Sequence, residues 1–502
     1  MKILTAKEIR KAEEISFKTY FSEAELMKRA GRECSEKIIK YYGNEIKDKR
    51  VLVFCGNGKN AGDGFVIAKT LLDFGANAEI VLCDKKPSIS EPLEYYNDAV
   101  KIGVKVNNFL DCDMSSCTLI VDCIFGIGFH GKAENPFDDV FNIINESGAK
   151  VVSVDVPSGV NATDGSVINA VRADLTIAIS TLKYCHILPP SNEYCGKTVC
   201  VNIGIPNDCY REKYAQTISK PYVKNCFKKR SINSNKGSCG RQLNICGSYL
   251  MPGAAVICAQ SALKTGAGLL KCAFPKSIYN VMTAHLVQPI FSPMSENENK
   301  TFSMGALTHI LEELRWADSV ALGCGIGNND DTQVLCNQII KESNVPVILD
   351  ADGINSIIPN IDVLKDSKAQ LVLTPHPGEM ARLINEDISY VQSNRIDTAR
   401  AFAKEYNCIV VLKGANTVVT DGIDVFVNTT GNAGMAMGGT GDMLTGMIAS
   451  FAAQGITPFD AAKCAVYIHG LCGDITAQEI SQRGMTVKDM LELLGALMSE
   501  FE

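Results

Sequence analysis

Short runs rich in β-branched residues, at positions 51–55, 79–83, 118–123, 150–156 and 174–179, alternate along the first half of the chain with amphipathic stretches around 65–74 and 91–102. Apolar runs of that length, separated by segments of helical period, are the pattern of βαβ units, whose strands are buried on both faces. The pattern predicts a mostly parallel sheet covered by helices. Upstream, Ile9, Ala12 and Ile15, then Leu26, Ala30, Cys34 and Ile38, recur at helical spacing and predict one or two helices before the first strand. From 205 to about 241 the period breaks: Pro206, Asp208, Pro221 and the cluster Lys224, Lys228, Lys229, Arg230 and Lys236 read as a solvated linker. Alternation then resumes, with strands expected at 242–246, 319–322, 346–350, 370–374 and 408–413. Two α/β domains are expected, residues 1–215 and 225–502, with no internal repeat.

Composition narrows the function classes. The 49 basic and 56 acidic residues give a net charge of -7, which argues against a nucleic-acid partner, since such affinity rests on Lys and Arg contacts to phosphate. The first ten residues carry a charge every few positions and no apolar core, so they do not read as a secretory signal. No apolar stretch approaches the ~18 residues a bilayer span needs. A cytoplasmic protein without a membrane partner is expected, assembled as the usual symmetric homo-oligomer. Twenty Cys sit scattered in apolar segments without any Cys-x-x-Cys, so they read as buried thiols, with a metal cluster the weaker alternative.

Three strand ends of the first half carry chemistry. The strand at 51–55 runs into Gly56-Asn57-Gly58-Lys59-Asn60-Ala61-Gly62-Asp63-Gly64, with a helix expected from near Phe65. A glycine-rich strand-to-helix turn offers backbone N–H groups to a phosphate. Gly56, Gly58 and Ala61 also satisfy a loose dinucleotide fingerprint, with Asp84 as a possible ribose-binding acid. Asp122 closes the next strand and precedes Gly126-Ile127-Gly128-Phe129-His130-Gly131; Asp155 closes another and precedes Val156-Pro157-Ser158-Gly159. Ligands of open α/β sheets bind at such carboxyl ends. Asn60, Asp122, Asp155 and Ser158 together offer amide, carboxylate and hydroxyl oxygens for a hard cation and one acid for proton transfer.

These three loops in order, with Thr181-Leu182-Lys183, resemble the NAD(P)H-hydrate epimerase family across roughly residues 1–215. The resemblance implies a Rossmann-like three-layer α/β/α domain. It implies substrate contacts at Lys59, Asn60, Ala61, Gly62 and Asp63, at Gly126, Ile127, Gly128, Phe129, His130, Gly131 and Lys132, and at Asp155, which is the expected catalytic residue. It also implies a potassium ion held by Asn60, Asp122 and Ser158. Ala61 stands where the family usually has Gly, and Lys59 where Asn is usual.

In the second half, residues 431–442, Gly-Asn-Ala-Gly-Met-Ala-Met-Gly-Gly-Thr-Gly-Asp, lead into an apolar helical run. Glycines at a helix start present bare N–H groups to an anion, and Asp442 in the first turn is placed to take a hydroxyl proton beside it. The segment resembles the anion hole of ribokinase-like kinases. Upstream, a strand ends in Lys413-Gly414-Ala415-Asn416-Thr417, where a Lys and backbone amides meet phosphate chemistry, and another ends in Pro375-His376-Pro377. With residues 247–255, 323–327 and 350–353, the set resembles the ADP-dependent NAD(P)H-hydrate dehydratases over roughly 225–500. That resemblance implies a ribokinase-like α/β fold, nucleotide contacts at Lys413, Gly414, Ala415, Asn416, Thr417 and Gly441, hydrate contacts at Ala255, Gly325, His376 and Asp442, and catalysis by Asp442. Magnesium would accompany ADP or ATP as co-substrate. No Gly-x-x-x-x-Gly-Lys-Ser/Thr loop occurs.

The expectation is a repair enzyme for hydrated nicotinamide cofactors, NADHX and NADPHX. One half would interconvert the R and S hydrates and the other would dehydrate the S form, releasing phosphate. Three alternatives stay open: a ribokinase-like vitamin or sugar kinase, a Rossmann dehydrogenase using residues 56–61, and an interaction module such as those in mRNA-decapping scaffolds.

Overall fold

The computed structural model describes residues 1–210 and 214–502. They form two compact units, Met1–Tyr214 and Ala215–Glu502. No helix among them is long and apolar enough to cross a membrane.

The first unit runs β1 (Lys2–Leu4), α1 (Ala6–Thr19), α2 (Glu23–Tyr42), β2 (Arg50–Cys55), α3 (Lys59–Phe74), β3 (Asn77–Leu82), α4 (Ser90–Lys101), β4 (Lys105–Asn108), β5 (Cys117–Cys123), α5 (Phe137–Glu146), β6 (Lys150–Val154), β7 (Leu175–Ile179), β8 (Leu182–Lys183) and β9 (Lys197–Val201). Its sheet has the order β4-β3-β2-β5-β6-β7-β9, and every pairing is parallel. Alternation along β2 builds the layers: Val51, Val53 and Cys55 pack with α2, α3 and α4, while Leu52 and Phe54 face α5. Each such fully buried aliphatic or aromatic side chain contributes about 1.5–3 kcal/mol. A parallel sheet with helices on both faces is the doubly wound arrangement expected.

One boundary differs from the sequence expectation. α3 starts at Lys59 rather than near Phe65, so Asn60 to Gly64 are helical, with Gly58 as a cap that offers no side-chain oxygen. The glycines serve close packing as well as the turn. A Cβ on Gly62 would lie 2.2 Å from Met27 Sδ, and one on Gly64 2.8 Å from Cys55 Sγ.

The second unit runs β10 (Ala215–Thr217), α6 (Lys220–Cys226), β11 (Arg241–Ile245), α7 (Pro252–Lys264), β12 (Leu269–Pro275), α8 (Tyr279–His285), β13 (Ile290–Met294), α9 (Leu307–Leu314), β14 (Ser319–Leu322), α10 (Asp330–Glu342), β15 (Val347–Leu349), α11 (Asp352–Ile357), β16 (Leu371–Leu373), α12 (Pro377–Ile384), α13 (Ile388–Ser393), α14 (Arg395–Tyr406), β17 (Ile409–Leu412), β18 (Val418–Thr420), β19 (Val425–Val427), α15 (Thr440–Ala453), α16 (Pro458–Glu479) and α17 (Val487–Leu497). Within the stretch read as a linker, residues 211–213 lie outside the described residues, while Ile218, just after β10, and Val223 of α6 join this unit's core. Strands β13, β12, β11, β14, β15, β16 and β17 pair in parallel, and β17–β18–β19 continue antiparallel. The register places Ile245, Leu322, Leu349 and Leu373 side by side. Cys246, Cys324, Asp350 and Thr374, just beyond that line, therefore share one edge of the sheet.

Candidate active sites

A cavity of about 620 Å³ opens at the carboxyl edge of the first sheet, lined by Asn57 to Asn60, Asp63, Gly126 to His130, Asp155 and Lys183, with Arg10 and Glu13 contributed by α1. Asp155 leaves β6 with φ +71°, a left-handed backbone that costs a non-glycine residue on the order of 1–2 kcal/mol. That strain turns its carboxylate into the crevice. Lys183 Nζ, on a side chain 1% exposed, donates to Asp155 Oδ1, as does Ile179 N at 3.3 Å. Oδ2 is left over Gly126, where a Cβ would come within 3.5 Å of it. His186 braces the pair: its Nδ1 accepts from Lys183 N at 3.0 Å and its Nε2 lies 2.9 Å from Asp155 O. Burial, then the Lys183 charge, pushes His186 down to about 3, so it is a neutral strut. Glu13 is raised to about 7 by burial and then by the Asp155 charge, and Asp63 is raised well above the carboxylate range for the same two reasons.

Beneath the cavity, Asp122 is fully buried and accepts from Ser158 Oγ at 2.5 Å, Ser158 N at 2.9 Å, Ser153 Oγ at 2.8 Å and Ile124 N at 3.2 Å. Burial raises its carboxyl, while the Ser158 bonds oppose the shift. Asn60 Nδ2 lies 2.9 Å from Phe125 O and 3.3 Å from Val154 O, and Ser158 Oγ reaches Phe125 O at 3.3 Å. Asn60 and Ser158 thus meet at the Phe125 carbonyl, with Asp122 hydrogen-bonded behind Ser158. Ala61 and Gly62 fall on the buried side of α3, and Gly131 and Lys132 are exposed beyond the cavity rim. Lys59 sits at the rim, paired with Glu23 at 2.5 Å. Glu13 went unnoticed in the sequence, and Lys183 stood there only as part of a motif.

In the second unit, Asp442 lies in the first turn of α15, which Gly439 caps with φ +95° and no side-chain hydrogen bond. Burial first, then Cys324 and Asp350, raises Asp442 to about 9. Asp350, at the end of β15, accepts from Lys413 Nζ at 2.6 Å and Thr374 Oγ1 at 2.7 Å. Burial works against its ionisation, but Lys413 and these bonds hold it below the ordinary value. Lys413 also reaches Glu379 at 4.0 Å, and Glu379 accepts from His376 N at 2.7 Å. His376 caps α12 through Nδ1, which accepts from Gly378 N at 3.0 Å and Glu379 N at 3.2 Å, and its side chain is half exposed. A Cβ on Gly441 would stand 3.3 Å from Lys413 Nζ and 3.5 Å from Asp350 Oδ2, so the helix start lies directly on the Lys413–Asp350 pair. Gly325, at φ +67°, approaches Ala254 and Met251 at the start of α7, one residue from buried Ala255.

The structure thus draws Asp442, Gly441, Lys413 and His376 into one polar chain, with Asp350, Glu379 and Thr374 as members to which the sequence reading gave no role. Gly414 and Ala415 are exposed on the β17–β18 turn, where Thr417 Oγ1 donates to Gly414 O at 3.1 Å and Asn416 has φ +55°.

Residues 23–185 match the family described as YjeF-related protein N-terminus, and residues 243–495 the family described as NAD(P)H-hydrate dehydratase. The chain is 33% identical over 520 residues to the bifunctional NAD(P)H-hydrate repair enzyme Nnr of Moorella thermoacetica, covering 100% of this chain and 97% of that one. The protein of the same name from Thermofilum pendens is 32% identical, with 100% and 98% covered. Among solved structures, a ribokinase-like superfamily protein of Enterococcus faecalis is 23% identical with a TM-score of 0.50, covering 57% of this chain and 96% of that one, a likeness of fold.

Proposed function

The chain belongs to the bifunctional NAD(P)H-hydrate repair enzymes, and from that membership we propose how its two sites divide the work. The enzyme interconverts the R and S hydrates of NADH and NADPH and dehydrates the S form, with ADP or ATP as co-substrate and phosphate released. The observation that carries the assignment of the second site is Asp442, raised by burial in a helix turn that lies on the Lys413–Asp350 pair.

In the epimerase, Asp155 moves the proton. Lys183 and Ile179 N fix Oδ1, so Oδ2 is the working oxygen. The C6 hydroxyl leaves as water when a carboxyl donates to it and the ring nitrogen supplies the electron pair; water returning to the other face gives up a proton to the carboxylate so formed, and the epimer results. Glu13 and Asp63, which burial holds toward their protonated forms, keep donors close to that event. The oxygens of Asn60, Asp122, Ser158 and Phe125, hard and partly buried, suit a potassium ion. Its charge would steady the loop that carries Gly126.

In the dehydratase, Asp442 accepts the C6 hydroxyl proton and the oxygen attacks the terminal phosphoryl of the nucleotide, which departs one phosphate shorter. Phosphate then leaves C6 with the bonding pair as C5 gives up a proton, and the double bond is restored. Lys413 and the bare N–H groups of α15 meet the phosphates, and Ala255, Gly325 and His376 shape the hydrate pocket. Asp350 and Glu379 would hold a magnesium ion accompanying the nucleotide, which would supply charge to offset that of the phosphates. A cytoplasmic homo-oligomer completes the proposal.

The test is absorbance in the reduced-nicotinamide band on a mixture of R and S NADH hydrate, with magnesium and ADP or ATP in turn. Complete recovery is expected. Recovery that stops at the S fraction removes the epimerase assignment, and a stable phosphorylated product in place of free phosphate makes the second unit a kinase.

A further inference from the structure

Cys246 follows β11, Cys324 lies two residues beyond β14, and α7 carries Cys258 over both strands. The three sulfurs all lie within 4.8 Å of one another, with Cys246 Sγ 3.9 Å from Cys258 Sγ. All three are reduced and no more than 1% exposed. Cys324 Sγ also lies within 4.8 Å of carboxylate oxygens of both Asp350 and Asp442, so the cluster adjoins the floor of the second active site. None of the steps described above uses these thiols.

We propose that Cys246, Cys258 and Cys324 form a binding site for a thiophilic d10 cation such as Zn2+ or Cd2+, reached from the Asp442 side, whose occupancy shuts off dehydration. Metal–sulfur bonds of about 2.3 Å put three sulfurs around one ion about 3.8–4.0 Å apart, so the Cys246–Cys258 spacing already matches a ligand polyhedron. Soft sulfur ligands exclude Mg2+ and K+ from this place. The three thiols release their protons as the ion binds. A cation on Cys324 lies beside the Asp442 carboxylate and engages it, so the hydroxyl proton has no acceptor.

The experiment uses the full chain, reduced, titrated with Cd2+ alone. Thiolate-to-cadmium charge transfer in the ultraviolet should saturate its first phase at one equivalent per chain. Dehydration of the S hydrate should then fall at least tenfold and return on chelation. Cys258→Ser, which keeps the side-chain volume, and Cys246→Ala should retain activity without Cd2+, lose the first phase, and need at least tenfold more Cd2+ for inhibition. Loss of metal-free activity in one variant leaves the other to decide, and the absorbance phase reads binding whether or not the variant turns over. An absent first phase, or equal sensitivity of wild type and both variants, overturns the proposal.

Discussion

The Asp155 carboxylate and the Lys183 ammonium form a buried ion pair in which one carboxylate oxygen is anchored and the other left over Gly126. The anchoring decides which oxygen can meet a substrate, and His186 fixes the backbone of both partners.

Lys183→Met should therefore lower epimerase kcat by about two orders of magnitude, the lower end of what proton-transfer catalysis supplies, with KM for the hydrate little changed. A purely structural loss would change both activities in step with stability. The uncompensated carboxylate should also cost about 3–5 kcal/mol, measured by chemical denaturation. Asp155→Asn should abolish epimerisation and leave turnover of purified S hydrate intact.

Asp442→Asn should cut dehydration by about 10³-fold or more while R and S hydrates still interconvert, read by chromatography of the two epimers. Because burial raises Asp442 to about 9 and a base must be deprotonated, wild-type dehydratase kcat/KM should rise with pH from neutrality and level off near that value. A profile flat from pH 6 to 9 would remove the proton-accepting role.

Gly441→Ala places a methyl group 3.3 Å from Lys413 Nζ. The ammonium must give way, so KM for ADP or ATP should rise about tenfold, the equivalent of one lost contact of roughly 1.4 kcal/mol. Melting temperature should hardly move.

Gly62→Ala drives a methyl group into Met27 Sδ, at a distance of 2.2 Å in an unrelaxed backbone. Overpacking of this kind costs about 1–3 kcal/mol, and Met27→Ala in the same chain should recover part of it. Denaturant midpoints of the four species of the cycle check the coupling.

The alternation of apolar runs was enough to locate β2, β5, β6, β7 and the central strands of the second unit, because a strand buried on both faces has few residue types to choose from. β4, Lys-Val-Asn-Asn on a sheet edge, and β9, which begins at Lys197 on the opposite edge, carry no such signature. The hairpin β18–β19 escaped for its brevity, three residues in each strand. At the sites, motif residues followed by glycine stood out. Glu13 did not, since it reaches Asp155 from a helix more than a hundred residues earlier, and Asp350 acquires its meaning from Lys413, a neighbour made only by the sheet register.

Helices α3 and α15 both begin on a glycine that brings no oxygen to the first turn, Gly58 in one case and Gly439 in the other. Helices α1 and α2 instead carry their own stopper there, Thr5 and Ser22, a kind of cap worth about 1 kcal/mol. The starts of α3 and α15 lie at the two candidate sites, and under the division of work proposed above the anionic groups of a dinucleotide or of ADP would meet the N–H groups left bare there. On that proposal part of the secondary structure would be finished by the metabolite, and the damaged cofactor would complete an end of the enzyme in the moment before the enzyme mends the cofactor.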